Sequence, residues 1–187
     1  MEALSKPELL ALLSVAKAAS KRDWLMILVG YWHGLRASEV VGLTPSSIAD
    51  GCVTVARLKG SMKTTQPLPE HADPLLDLRS ELIEYIRGMH PNQTVFPISR
   101  THFWRLVKKY SALAGIPKRL GHPHILKHSL AMQTIKSAGI ENLRQYLGHK
   151  SLASTGAYLK VDDMEASRAV TGSGLKTCEF KQSNGGL

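Results

Sequence analysis

The chain has 187 residues, 43% hydrophobic and 21% charged, which fits one large domain or two very small ones and excludes a chain disordered by composition. Its 24 Lys and Arg stand against 15 Asp and Glu, a formal net charge of +9. Between Arg100 and Lys150 there are ten basic residues and one acid, Glu141, so the whole excess belongs to that stretch, which also holds five of the eight His. A basic surface confined in this way points first to a polyanion such as nucleic acid.

Two Cys, Cys52 and Cys178, exclude a disulfide framework and a CxxC zinc pattern and fit a reducing cytoplasm. The longest apolar stretch, over 24–32, is far too short to span a membrane, and the N-terminus lacks the pattern of a secretion signal.

In chain order, Ser5 is placed to cap a first helix, with Pro7 in its first turn and Glu8 completing a capping box. Leu9, Leu10, Leu12, Leu13 and Ala16 follow at helical spacing. A second helix over 23–33 is nearly all apolar and is expected at the centre, stopped by Gly34; a short helical segment over 37–42 follows. Residues 52–58 and 64–68 read as the two strands of a hairpin, with Pro67 marking an edge. Helices are expected over 74–88, 101–114, 124–138 (with Gly139 as stop), 141–147, around Tyr158 and over 162–170, before a Gly-, Ser- and Lys-rich mobile tail over 171–187. The fold class is α+β, mainly α, with a small antiparallel sheet at one edge. Trp24, Trp32 and Trp104 are assigned to the core.

The basic segment also offers chemistry. On one helix, His124, Lys127 and His128 share a face, because they are three and four residues apart. That face presents two imidazoles and an ammonium to a single phosphate. Gly148 permits a sharp turn after Leu147 that aims His149 at the same point. Nine residues later, Tyr158 is a candidate nucleophile towards phosphorus, given cations to stabilise the developing charge. The pair His124 and His128 lacks the acidic partner of a zinc-protease helix, so no metal is expected. Arg105, Lys108 and Lys109, without acids around them, are assigned to a nucleic-acid backbone, as are Arg100, Arg119 and Lys150 in the same segment and Lys63 on the hairpin.

With these boxes in this order, the sequence resembles the catalytic domain of the tyrosine recombinases, the phage integrase family. Gly34-Leu35-Arg36-Ala37-Ser38-Glu39 matches the family's first box and Lys59 its hairpin lysine, with Lys63 an alternative in loop register. His124 to His128 matches the His-x-x-Arg-His box, Leu147 to His149 the Leu-Gly-His box and Tyr158 the nucleophile. The resemblance runs from about Leu4 to Val170. It implies a site-specific recombinase or integrase that cleaves and rejoins DNA through a 3′-phosphotyrosyl intermediate, needing no cofactor, metal or ATP. Tyr158 would attack the phosphate, Arg36 grip its nonbridging oxygens and Lys59 protonate the leaving 5′-oxygen. His124, Lys127 and His149 would bind the phosphate, with His124 also a candidate to take the proton of Tyr158. Glu39 and His128 would orient these groups.

The implied partners are double-stranded DNA at a specific recombination site and further copies of the chain, a tetramer on DNA with a monomer compatible with the free state. No membrane partner is implied, and the implied location is the cytoplasm of a prokaryotic cell, with a virus or plasmid as a compatible source of the gene. The helix over 162–170 would dock on a neighbouring subunit. The catalytic domain is expected over 1–170 and the tail over 171–187, without the N-terminal core-binding domain that family members usually carry. One box departs from the pattern: Lys127 stands where the family has its second Arg, keeping the charge but losing the bidentate fork. The alternative function is therefore a catalytically weakened or inactive DNA-binding relative, acting as a regulator or accessory factor.

Overall fold

A computed structural model describes residues 2–57, 62–156 and 158. The first element is α1 (Lys6–Ala19), held at its start by the expected capping box: the Glu8 carboxylate accepts the Ser5 N–H at 2.8 Å and the Ser5 hydroxyl accepts the Glu8 N–H at 3.4 Å. The second, α2 (Lys21–Trp32), starts two residues earlier than expected because Ser20 caps it, accepting the Asp23 N–H. Every residue from Asp23 to Tyr31 is buried, so α2 is the central helix; α1 covers one side of it and α6 (His124–Ala138) another. A short helix α3 (Ala37–Val41) follows the Gly34 turn.

The sheet has three antiparallel strands in the order β1 (Ile48–Ala49), β2 (Cys52–Val55) and β3 (Thr64–Pro67). Val53 faces Ile48 on one side and Gln66 on the other, and Pro67 sits on an edge strand opposite Cys52, as its missing N–H requires. The two-residue β1 is too short to leave a periodic signal and was not expected. The inward positions alternate: Val53, Val55 and Arg57 on one arm are buried, as are Thr64, Gln66 and Leu68 on the other. Two of these six are apolar on the first arm and only one on the second, so half of the hairpin's inward face is polar.

The helix expected over 74–88 forms only as α4 (Arg79–Ile86). Asp73 accepts the Leu75 N–H, and the Pro69 carbonyl takes the N–H groups of Leu78 and Arg79, so residues 74–78 spend their hydrogen bonds on a turn. Next come α5 (Arg100–Leu113), capped by Ser99, then α6, α7 (Ile140–Tyr146) and α8 (Ala153–Gly156). Tyr158 lies in the turn just after α8 rather than on a helix, its N–H bonded to the Thr155 carbonyl at 3.0 Å. The expected helix over 162–170 and the tail over 171–187 lie outside the described residues.

One core assignment is corrected. Trp24 is fully buried and Trp32 packs on the core, but Trp104 is 44% exposed. The buried face of α5 carries Phe103, Val107 and Tyr110, and Trp104 falls one position off it, beside Arg105 and Lys108.

Candidate active site

The turn after α2 sets the first part of the site. Gly34 has φ +55°, and a Cβ there would lie 2.5 Å from Leu147, so the turn seats directly on the segment that follows α7. Arg36 then caps α3. Glu39, buried with its side chain only 1% exposed, accepts the Arg36 backbone N–H at 2.8 Å and the Arg36 guanidinium at 2.9 Å. Arg36 keeps a quarter of its side chain exposed.

Under this turn lies a residue that the motif reading passed over. Arg57 has no exposed side-chain surface and donates from all three guanidinium nitrogens: Nε to Thr64, Nη1 to the Gly34 carbonyl and to Glu39 (3.4 Å), Nη2 to the carbonyls of His33 (2.8 Å) and Tyr146 (3.3 Å). Burial pulls its guanidinium below the ordinary range, opposed by the Glu39 charge. Gln66 from β3 completes the layer, donating to the same Tyr146 carbonyl and pairing with His33 Nδ1 at 2.8 Å. The signal was present as strand alternation: Arg57, Thr64 and Gln66 occupy inward positions.

Three side chains come from α6. Lys127 is 2% exposed, its ammonium 3.5 Å from the Leu147 carbonyl. Burial first, then the charges of Arg36 and Arg57, bring Lys127 down to about 8, with Glu39 opposing. His128 pairs through Nδ1 with the Tyr158 hydroxyl at 3.0 Å, and exposed His124 meets the His128 ring edge-on at 4.4 Å between centroids. The phenol is thus joined to His128 rather than to His124. Burial, followed by His124, His122 and Lys127, pushes His128 down to about 4. Tyr158 is 4% exposed and burial raises its hydroxyl above the ordinary value.

Gly148 has φ +67°, and a Cβ there would meet the Met62 carbonyl at 2.9 Å and Arg57 at 3.0 Å, so only glycine lets the hairpin approach this closely. Its carbonyl accepts the Met62 N–H at 3.0 Å, fixing one end of the hairpin loop. His149, 9% exposed, pairs through Nδ1 with Thr155 Oγ1 at 2.9 Å. Burial, then Lys127, Arg36 and Arg57, pushes it down to about 4. Thr155, fully buried and also unanticipated, therefore holds both His149 and the Tyr158 backbone.

Arg36, Glu39, Lys127, His128, His149 and Tyr158 thus come together from four separate segments. Lys59 lies outside the described residues. A groove of about 500 Å³ beside the cluster is lined by Arg36, Ser38, Arg100, Trp104, His122 and His124. Arg105, Lys108, Lys109, Lys63 and Lys150 are exposed; Arg119 is exposed too, but is paired with Glu2 at 2.6 Å. Among the described residues no three His, Cys, Asp or Glu side chains gather to hold a metal ion, and no helix is long and apolar enough to cross a membrane. Chemically, the cluster sets neutral imidazoles and a lysine close to its titration point around a protonated phenol, with a partly exposed arginine at the mouth.

Residues 2–165 match the model of the phage integrase family. The chain belongs to the phage integrase family. Among its curated relatives, the tyrosine recombinase XerA of Thermococcus kodakarensis is 32% identical over 167 residues, covering 86% of this chain and 58% of the relative. The tyrosine recombinase XerD of Yersinia pestis is 34% identical over 153 residues, covering 75% and 50%. This phage integrase family chain therefore spans little more than half the length of such relatives. Its fold is that of the XerA recombinase crystal structure (TM-score 0.70, 22% identity, 92% of this chain and 63% of that one). The lambda integrase catalytic core shares it too (TM-score 0.64, 20% identity, 80% and 92%). The expected architecture, helices with a small antiparallel sheet at one edge, is the one found.

Proposed function

We propose that this chain is the catalytic domain of a tyrosine-type site-specific DNA recombinase, with Tyr158 as nucleophile. The observation that carries the reading is the pairing of a buried phenol with a neutral imidazole, His128, beside a cluster of Arg36, Lys127 and His149. Tyr158 attacks a scissile phosphate, passing its proton towards His128, and forms a 3′-phosphotyrosyl bond as the 5′-oxygen leaves. The bond energy is retained, so a 5′-hydroxyl from another strand reverses the step without ATP. Arg36, with a quarter of its side chain exposed and Glu39 fixing its direction, holds the nonbridging oxygens. His149 and Lys127 stabilise the same charge, His124 at the groove binds an adjacent phosphate oxygen, and Lys59 serves as general acid to the leaving oxygen.

DNA lies over the groove and the exposed cations of α5. Assembly on DNA follows from the same reading, and is supported by the lambda integrase tetramer solved on a Holliday junction. Lys127 in place of Arg forgoes one charge-assisted hydrogen bond, about 1.5–3 kcal/mol, or roughly 10–150-fold in rate. The enzyme is thus slowed, and the regulator reading is disfavoured by the intact cluster around Tyr158.

The test uses nicked duplexes recovered from a randomised pool by binding to the wild-type protein. Wild type is expected to form a covalent protein–DNA product that Tyr158→Phe does not form. Absence of product from every tightly bound duplex overturns the reading.

A further inference from the structure

Arg57 is a cation whose side chain has no exposed surface, and the mechanism above leaves it without a task. Its five hydrogen bonds reach four separate segments: the end of α2 and the Gly34 turn, Glu39 of α3, Thr64 of β3, and the Tyr146 carbonyl at the close of α7. Three of these segments present a residue of the proposed site directly. The Gly34 turn leads into Arg36, Glu39 orients the Arg36 guanidinium, and Tyr146 leads through Leu147 into His149. Gly148 lies with its Cα hydrogen turned towards the Arg57 stem, since a Cβ there would stand 3.0 Å from Arg57 Cγ.

A planar fork with five donors can join three carbonyls, a carboxylate and a hydroxyl at once; a lysine ammonium offers three donors and no fixed plane. Nothing in a purely apolar packing of these segments requires a buried charge, which is costly to dehydrate. We propose that Arg57 is a positioning residue for strand cleavage: its guanidinium clamps the Gly34–Glu39 turn to the Leu147–His149 turn, fixing Arg36 and His149 relative to each other around the phosphate. This rests on the recombinase reading of the same site.

Arg57 adds a permanent charge from below, without touching DNA. Lys127 is faced by Arg36 and Glu39 from the α3 turn, by Arg57 from the hairpin, by His149 from the turn after α7, and by His128 on its own helix. Removal of the Arg57 charge should let Lys127 hold its proton to higher pH.

Cleavage of the captured nicked duplexes is measured in a single turnover at saturating protein, alongside the DNA Kd and the folded fraction by circular dichroism. Arg57→Lys is expected to lower the cleavage rate at least about 30-fold with the Kd within about three-fold of wild type, because the side chain is fully enclosed. Cleavage within three-fold of wild type overturns the proposal, as does a loss of cleavage matched by an equal loss of binding or of folded protein. If Arg57→Lys does not fold, the isosteric Thr64→Val, which removes only the acceptor of Nε, replaces it, with a fall of about 3–10-fold expected and none overturning. A DNA-free arm separates failure of this inference from failure of the recombinase reading. In protein carrying ¹³C-labelled lysine, the Lys127 titration midpoint should rise in Arg57→Met; an unmoved midpoint overturns the proposal even where no wild-type product is found.

Discussion

The two ends of the central helix α2 meet very different surroundings. Along its length, against α1, contact is apolar: Leu9, Leu12, Leu13 and Ala16 lie against a helix buried on nearly every side. At its C-terminal end, beyond Tyr31, the interior becomes polar, with His33, Glu39, Arg57, Thr64, Gln66, Lys127, His149 and Thr155 all buried. The first region is stabilised by area removed from water, which is tolerant of detail. The second is held by hydrogen bonds, with His33 Nε2 the one atom of these side chains left unmatched among the described residues, and each further polar group left without a partner in a dry interior costs a few kcal/mol. The site is therefore built on the less forgiving half of the core, which fixes direction where apolar packing fixes only proximity.

The largest effect should come from breaking the charged layer. Glu39→Ala leaves Arg57 enclosed without its carboxylate and Arg36 without its orienting partner. A loss of about 3–5 kcal/mol in unfolding free energy is expected, together with loss of covalent product in protein that remains folded. Leu12→Ala, at a fully buried apolar position, is expected to cost about 2–5 kcal/mol but to leave cleavage unchanged below its lowered Tm. Equal damage to cleavage from both variants would erase the distinction between the two regions.

The apolar region was legible because helix periodicity reports it directly. The Ser5–Glu8 box, the buried α2, and the 124–138 span with its Gly139 stop all appear where local pattern and capping chemistry put them. The candidate site was legible for a different reason: Arg36, Lys127, His149 and Tyr158, which the fold brings together, carry the spacing of a family pattern. What escaped was the support beneath them. Arg57 bonds to groups 7 to 89 positions away and Thr155 to His149 across a turn, and no local rule pairs an arginine with the carbonyls of His33 and Tyr146. Only the alternation of Val53, Val55 and Arg57 marks Arg57 as inward. Trp104 was misassigned because aromatic composition predicts burial on average, whereas its angular position on α5 decides the matter.

Acidification should separate the two regions by an intermediate amount. His33 and His149 are pushed down to about 4 in the folded protein, from an ordinary 6.5. Between those values the unfolded chain binds more protons, so stability is complete above pH 6.5 and falls as pH drops towards 4, by at most roughly 3 kcal/mol for each His. Lys127, at about 8 against an ordinary 10.5, acts in the opposite direction: the cost of burying its charge is present below pH 8 and is relieved as pH rises. That gain should show between about pH 8 and 10, before the buried Tyr31, Tyr110 and Tyr146, pushed up to about 12, begin to resist ionisation. Urea unfolding across pH 4–10 reads both limbs. Leu12→Ala should shift the profile down without changing its shape, whereas His149→Asn should flatten the acid limb.

The smallest effects belong to the surface, where the comparison can be made within a single charge type. Arg105 is exposed on α5, next to Trp104 and the groove, and has no acidic neighbour on its own helix. Arg119 is equally exposed but donates to Glu2 at 2.6 Å, so its charge is already partly answered. If DNA lies over the groove, Arg105→Ala should weaken binding a few-fold and lower the salt slope by about one phosphate contact. Arg119→Ala should change the slope by less, since Glu2 loses a partner as the surface loses a cation. Titrations of one nicked duplex at several salt concentrations decide between these. Equal slopes for the two variants would mean that the basic segment attracts DNA as a diffuse field; a larger change for Arg105 ties the attraction to the face that carries Arg36 and His124. Only in the second case do the charge that gathers DNA and the groups that act on it share one surface.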